Sequence, residues 1–176
     1  MRGDMADSSA EPGRDCPGCG LVLLEPQVRV PDRPGSSAGC WSLYTEMLGR
    51  SYNDPARHCS HQLLVDSYTA QHPDRSEPRR VQGLSICLMT LCLFVEDGVD
   101  PREGPQLHRR MLARSVFHPL NLDPALLHGR MTIADVAPAD DAGEYETLLR
   151  AWGTQVWDAW TAHHTTIRGW IKKALR

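Results

Sequence analysis

The sequence predicts a mainly α fold, a four- to five-helix bundle carrying a small N-terminal arm. Two observations point there. Acidic-proline pairs at Asp54-Pro55, Glu77-Pro78, Asp100-Pro101 and Asp123-Pro124 read as helix starts, because an acidic side chain caps the first turn and proline fits its first position. Between them, apolar residues recur every three or four positions.

Residues 1–14 are rich in Ser, Asp, Gly and Pro and read as a disordered tail. After the Cys16-Pro17-Gly18-Cys19-Gly20 stretch, Leu21 to Leu24 and Val28 to Val30 suggest a hairpin turning at Glu25-Pro26, and Pro31 to Ala38 a loop. Gly39-Cys40-Trp41 opens a short helix with Trp41, Tyr44, Met47 and Leu48 on one face. Asp54-Pro55 starts a second helix, expected to run to about His72 because Pro73 stops it. The third starts at Ser76-Glu77-Pro78 and reaches about Glu96; its Leu84–Val95 section is apolar nearly all round and reads as the central helix. Asp100-Pro101 caps a shorter helix to about Arg114, followed by an irregular stretch with a one-turn start at Asp123-Pro124. Thr132 to Asp135 reads as a capping box, and Asp140 or Asp141 caps a long last helix from about Ala142 to Leu175. On that helix Leu149, Trp152, Val156, Trp160, His163, Ile167 and Trp170 keep a three-to-four spacing, and its tryptophans read as core and seam.

The chemistry concentrates in Cys16-Pro17-Gly18-Cys19-Gly20. Two cysteines two residues apart on a glycine-rich loop are half of a tetrahedral zinc site. A redox pair would need a strand before the motif and a helix opening at its second Cys, whereas Pro12-Gly13 and Gly20 flank it. Cys40, at a helix start that favours its thiolate, is the best third ligand. For the fourth, an antiparallel pairing of the helices starting near Trp41 and Pro55 favours His61, with His58, Cys59 and His72 as alternatives. The expected ligand set is therefore Cys16, Cys19, Cys40 and His61 around Zn2+, with residues 15–38 a zinc-knuckle arm and 39–176 the helical bundle. A second candidate group is an interior polar cluster of His72, Asp66, Tyr68 and His164 or its neighbour His163, with His108 beside it. Imidazole, carboxylate and phenol between helices suit metal binding or acid–base work. Cys87 and Cys92, on the most apolar helix, read as small buried hydrophobes.

Composition bounds the function classes. With 176 residues, a formal charge of -3 and no dense Lys/Arg block, one domain is expected and nucleic acid is not an expected partner. The polar N-terminus is no secretory signal, and the Leu84–Val95 run falls short of the roughly 20 residues that span a bilayer. A cytoplasmic protein with no membrane partner is expected, its cysteines ligands or free thiols. Arg far outnumbers Lys, and Ala, Gly and Pro are frequent, as in GC-rich bacterial genomes. No phosphate loop, dinucleotide fingerprint or Gly-x-Ser-x-Gly elbow is present.

The set CPGCG at 16–20, GCW at 39–41, HQLLVDSYTAQHP at 61–73, LMTLCLFVED at 88–97 and WTAHHTTIRGW at 160–170 spreads along nearly the whole chain. It resembles a family of bacterial proteins of unknown function, and the resemblance implies no activity. In that family a His stands near the position of Cys87, so this chain departs there, which argues against a bundle-interior metal site on that helix. A looser likeness, at the level of fold, is to metal-binding four-helix enzymes of the DinB type, which use three His. Two functions follow as expectations: a structural zinc protein whose bundle holds a small molecule or a protein partner, and a metal- or His-dependent hydrolase or transferase using the interior His, Asp and Tyr. A third is a redox sensor using Cys16 and Cys19.

Overall fold

The acidic-proline pairs do start helical turns, but two helices that the sequence joins are broken. The structure is a computed structural model that describes residues 13–23, 35–113 and 117–176. Among the described residues the fold is mainly helical. Helix α1 (Ala38–Asn53) is capped by Ser37, whose Oγ accepts from the Cys40 amide. The caps Asp54, Asp100 and Asp123 each accept from the amide two residues on, opening α2 (Pro55–His58) and two 3-10 turns at Pro101–Glu103 and Pro124–Leu127.

Helix α2 ends within one turn. Ser60 leaves helical geometry (φ -104°, ψ 11°) and α3 (His61–Gln71) begins afresh beyond it. Helix α4 (Pro78–Val95) matches its expected span, and α5 (Gly104–Leu112) follows the first 3-10 turn. The capping box is present, Thr132 with Asp135, opening α6 (Ile133–Val136). The long last helix divides into α7 (Ala142–Ala159) and α8 (His164–Ala174). At the corner the His164 ring stacks on Trp157 at 3.8 Å and its Nε2 lies 3.0 Å from the Trp157 carbonyl oxygen. That imidazole reaches a carbonyl at the end of α7, and α8 turns to pack on α4 and α5.

Helix α4 is the centre of the molecule, in contact with α3, α5, α7 and α8. It is long and apolar enough to cross a membrane by length and composition, yet Leu88, Met89 and Leu91 are fully buried within the fold, so interior packing explains its apolarity. Trp152, Trp157 and Trp160 are buried with every indole N–H satisfied. Trp152 donates to Gln71 Oε1 (2.9 Å), Trp160 to the Ala70 carbonyl (3.1 Å) and Trp157 to Glu96 Oε1 (2.9 Å). Gln71 in turn donates to the Met131 carbonyl. The bonds at Ala70 and Gln71 fix the last turn of α3, and with it His72.

The expected tail lies almost wholly outside the described residues, as does most of the expected hairpin and the loop after it. Within the described part Val22 pairs with Asp15 in one antiparallel bridge.

Candidate metal centre

Cys16 to Gly20 fold into a tight loop closed by two backbone bonds, Gly20 N–H to the Cys16 carbonyl (2.8 Å) and Cys16 N–H to the Leu21 carbonyl (2.9 Å). Gly20 holds φ +75°, a conformation glycine reaches without cost. Gly18 is needed for close approach: a Cβ there would stand 2.5 Å from the Gly35 carbonyl oxygen and 2.6 Å from His72 Cδ2. The loop therefore seats both sulfurs against the end of α3.

There Cys16, Cys19, Cys40 and His72 converge, each offering one ligand atom and all four atoms within 4.8 Å of one another. Cys19 Sγ is 3.9 Å from Cys40 Sγ, and Cys40 Sγ is 3.3 Å from His72 Nε2. A tetrahedral zinc ion with Zn–S near 2.3 Å and Zn–N near 2.0 Å sets ligand separations of about 3.5–3.8 Å, so the donors fit such an ion. The four are 0–5 % exposed. His72 is oriented as a ligand requires: its Nδ1 faces the Tyr68 carbonyl oxygen at 2.8 Å, an acceptor that places the ring proton on Nδ1 and turns Nε2 to the sulfurs. The Ser37 amide donates to Cys16 Sγ (3.4 Å) and the Tyr68 hydroxyl to Cys40 Sγ (3.7 Å). Tyr68 also stacks on His72 (4.0 Å) and on Tyr44 (3.8 Å).

The four groups strongly perturb one another's ionisation. Hydrogen bonds from Cys19 and Cys40 hold the Cys16 thiol far below its ordinary value, while the same crowding with Cys16 pushes Cys19 far above its own. Burial works against a charged His72, but the Cys16 and Cys40 sulfurs outweigh it and raise the imidazole to about 9. Three thiols in one spot cannot all ionise unaided, and a dication reverses that balance.

The fourth donor that the structure brings to the sulfurs is His72, not His61. Residues 55–60 form the α2 turn and the Ser60 corner instead of advancing antiparallel to α1, so the register counted from Pro55 falls short and Cys40 comes level with the end of α3. His61 sits at the other end of α3, with Nδ1 2.7 Å from Ser51 Oγ and its ring beside Tyr52 and His58. Cys59 is exposed.

The interior cluster expected from His72, Asp66, Tyr68 and His164 is divided among three places. His72 and Tyr68 belong with the thiols. His164 lies on Trp157 and near Glu96, whose carboxylate also binds Arg168. Asp66 meets His108 (Nε2 to Oδ1 3.2 Å) and Cys87, a second group whose donor atoms lie within 4.8 Å of one another. Thr90 donates to Asp66 Oδ2 (2.6 Å) and Gln62 to Oδ1 (2.9 Å). Burial first, then the Asp66 charge, push the Cys87 thiol well above its ordinary value. The sequence takes Cys87 for a small buried hydrophobe and its departure from the family's His as a sign against a metal site on that helix; the structure instead sets its thiol beside Asp66 and His108, partners that no local pattern in an apolar helix reveals.

Between α1, α3 and α4 lies a cavity of about 310 Å³ whose lining includes Trp41, Tyr68, His72, Arg79, Arg80 and Cys87. It touches both donor groups.

Fold and centre together define a small helical protein with a buried Cys3His cluster whose geometry is compatible with a metal ion. The chain belongs to the family of unknown function DUF5946, whose model matches residues 14–161. That match takes in the three cysteines, His72, Asp66, Cys87 and His108, and ends inside the Trp160–Trp170 segment. No curated protein and no solved structure matches the chain.

Proposed function

We propose that this is a zinc-binding protein whose metal is structural, held by Cys16, Cys19, Cys40 and His72. The carrying observation is the convergence of four buried donors from three separate stretches of chain. A site with four protein donors has no position left for substrate, which is the mark of a structural centre. The ion would join the Cys16–Gly20 loop to α1 and α3, fastening that loop as an arm to the bundle. The neighbouring cavity is then the place for a small molecule or a partner's side chain, walled by the aromatic ring of Trp41 and carrying Arg79 and Arg80. Six cysteines without a disulfide suit a reducing, cytoplasmic setting.

The test is metal content and folding of the purified chain. Cys16→Ser is expected to lose one zinc equivalent and to lower thermal stability, and a chelator should do the same to the wild type. Retention of that equivalent in Cys16→Ser defeats the reading.

A second reading is a metal-dependent hydrolase or transferase acting on a small molecule, akin to the DinB type by analogy of fold. The Asp66, Cys87 and His108 group beside the cavity favours it.

A further inference from the structure

Asp66 lies within α3, Cys87 within α4 and His108 within α5, so three different helices each send one donor to the same point. We propose that Asp66, Cys87 and His108 form a second site for a divalent transition metal, a three-donor centre approached from the cavity that Cys87 lines.

The donor set selects the ion. Thiolate, imidazole and carboxylate together suit zinc or cobalt, whereas magnesium and calcium take oxygen donors. Three protein ligands leave one coordination position free, the arrangement of catalytic zinc centres. The 3.2 Å between His108 Nε2 and Asp66 Oδ1 matches the roughly 3.4 Å expected between nitrogen and oxygen ligands of one tetrahedral zinc ion.

Charge and bonding give independent support. Asp66 has no exposed surface, and a buried carboxylate is costly unless paired. Besides His108 and Cys87 it accepts from the neutral donors Gln62 and Thr90, which fix the carboxylate as outer partners of a metal ligand do. His108 Nε2 is crowded by four polar atoms: Thr90 Oγ1 at 3.1 Å, Gln62 Nε2 and Asp66 Oδ1 at 3.2 Å, and Asp66 Oδ2 at 3.4 Å. Gln62 and Thr90 already donate to Asp66, so the interaction left for Nε2 is with the Asp66 carboxylate. A cation at the Nε2 lone pair would bridge the two groups in place of a shared proton.

Access is built in as well. Cys87 and Thr69 line the 310 Å³ cavity, so a small molecule there would meet the centre from the Cys87 side.

The experiment loads the full chain with Zn2+ and counts equivalents by metal analysis and native mass spectrometry, with circular dichroism as a folding check. The wild type is expected to hold two. Cys87→Ala and His108→Gln should each hold one, with helical content unchanged. Cobalt loading adds a spectroscopic reading: Cys87→Ala should lose the part of the thiolate-to-cobalt absorption that Cys16→Ser retains. A wild type with a single equivalent, lost in Cys16→Ser and kept in Cys87→Ala, overturns this site and leaves the structural zinc standing. A single equivalent lost in Cys87→Ala and kept in Cys16→Ser does the reverse. Should His108→Gln fail to fold, the conservative Cys87→Ala decides; two equivalents retained there also overturn the site.

Discussion

The Cys16 group and the Asp66 group are delivered by different kinds of backbone. At the first, two donors sit on a glycine-bearing loop, one in the first turn of α1 and one just past the last turn of α3. At the second, all three project from within helices packed side by side. Loop and helix-end donors can be drawn onto an ion as the chain closes, so metal and local fold form together. Mid-helix donors are placed by core packing alone and exist as a group with or without an ion. If both groups take metal, the contrast predicts a first centre that holds the fold and a second that the fold holds.

Stripping metal, or replacing Cys40 with Ser, should divide the two most sharply. The arm is expected to detach and thermal stability to fall by about 4 kcal/mol, on the order of 10 °C for a chain of this size, while the helical signal survives. Differential scanning calorimetry with and without chelator measures it, and an unshifted midpoint would put both groups in one class.

His108→Ala leaves the Asp66 carboxylate buried without its imidazole. A loss of about 3 kcal/mol in urea unfolding is expected, present also in metal-free protein. If the loss appears only in the metal-loaded form, the second group too is held together by its ion.

Gly18→Ala puts a methyl group against the Gly35 carbonyl and the His72 ring. It should cost about 1–3 kcal/mol and weaken zinc retention at the thiol group alone. Competition with a colorimetric chelator reads this, and wild-type retention would mean the loop has room that the geometry denies.

The smallest effect belongs to Glu96→Gln, at the far end of α4. The Arg168 guanidinium bonded to Glu96 holds its carboxyl down to about 2, below the unfolded value of roughly 4.3. A depressed carboxyl stabilises the fold above its unfolded value and loses that contribution as pH falls toward 2. The small stability gap between wild type and Glu96→Gln should thus be present at pH 7 and close between about pH 4.5 and 2. Metal content should not change; if it does, the α7–α8 corner is coupled to one of the centres.

What was legible in the sequence follows the same division. Cys16, Cys19 and Cys40 stand out because loop geometry and capping are local, written within a few residues of each donor. His72 was only one alternative among several, since choosing it over His61 depends on where α2 breaks. Nothing near Ser60 spells that corner. The joining of α7 and α8 into one helix failed likewise: the apolar spacing runs unbroken from Leu149 to Trp170, and the turn is made by His164 folding back on Trp157.

By itself the chain determined its helical class, its central helix and three of four donors, because periodicity, caps and short-range loop chemistry act within a turn or two. Tertiary packing alone decided the rest. The indoles of Trp152 and Trp160 hold the end of α3 so that His72 faces the sulfurs, and the side-by-side seating of α3, α4 and α5 brings Asp66, Cys87 and His108 together. Both depend on helix register and crossing, which arise from contacts between residues tens of positions apart and leave no mark in any single window of sequence.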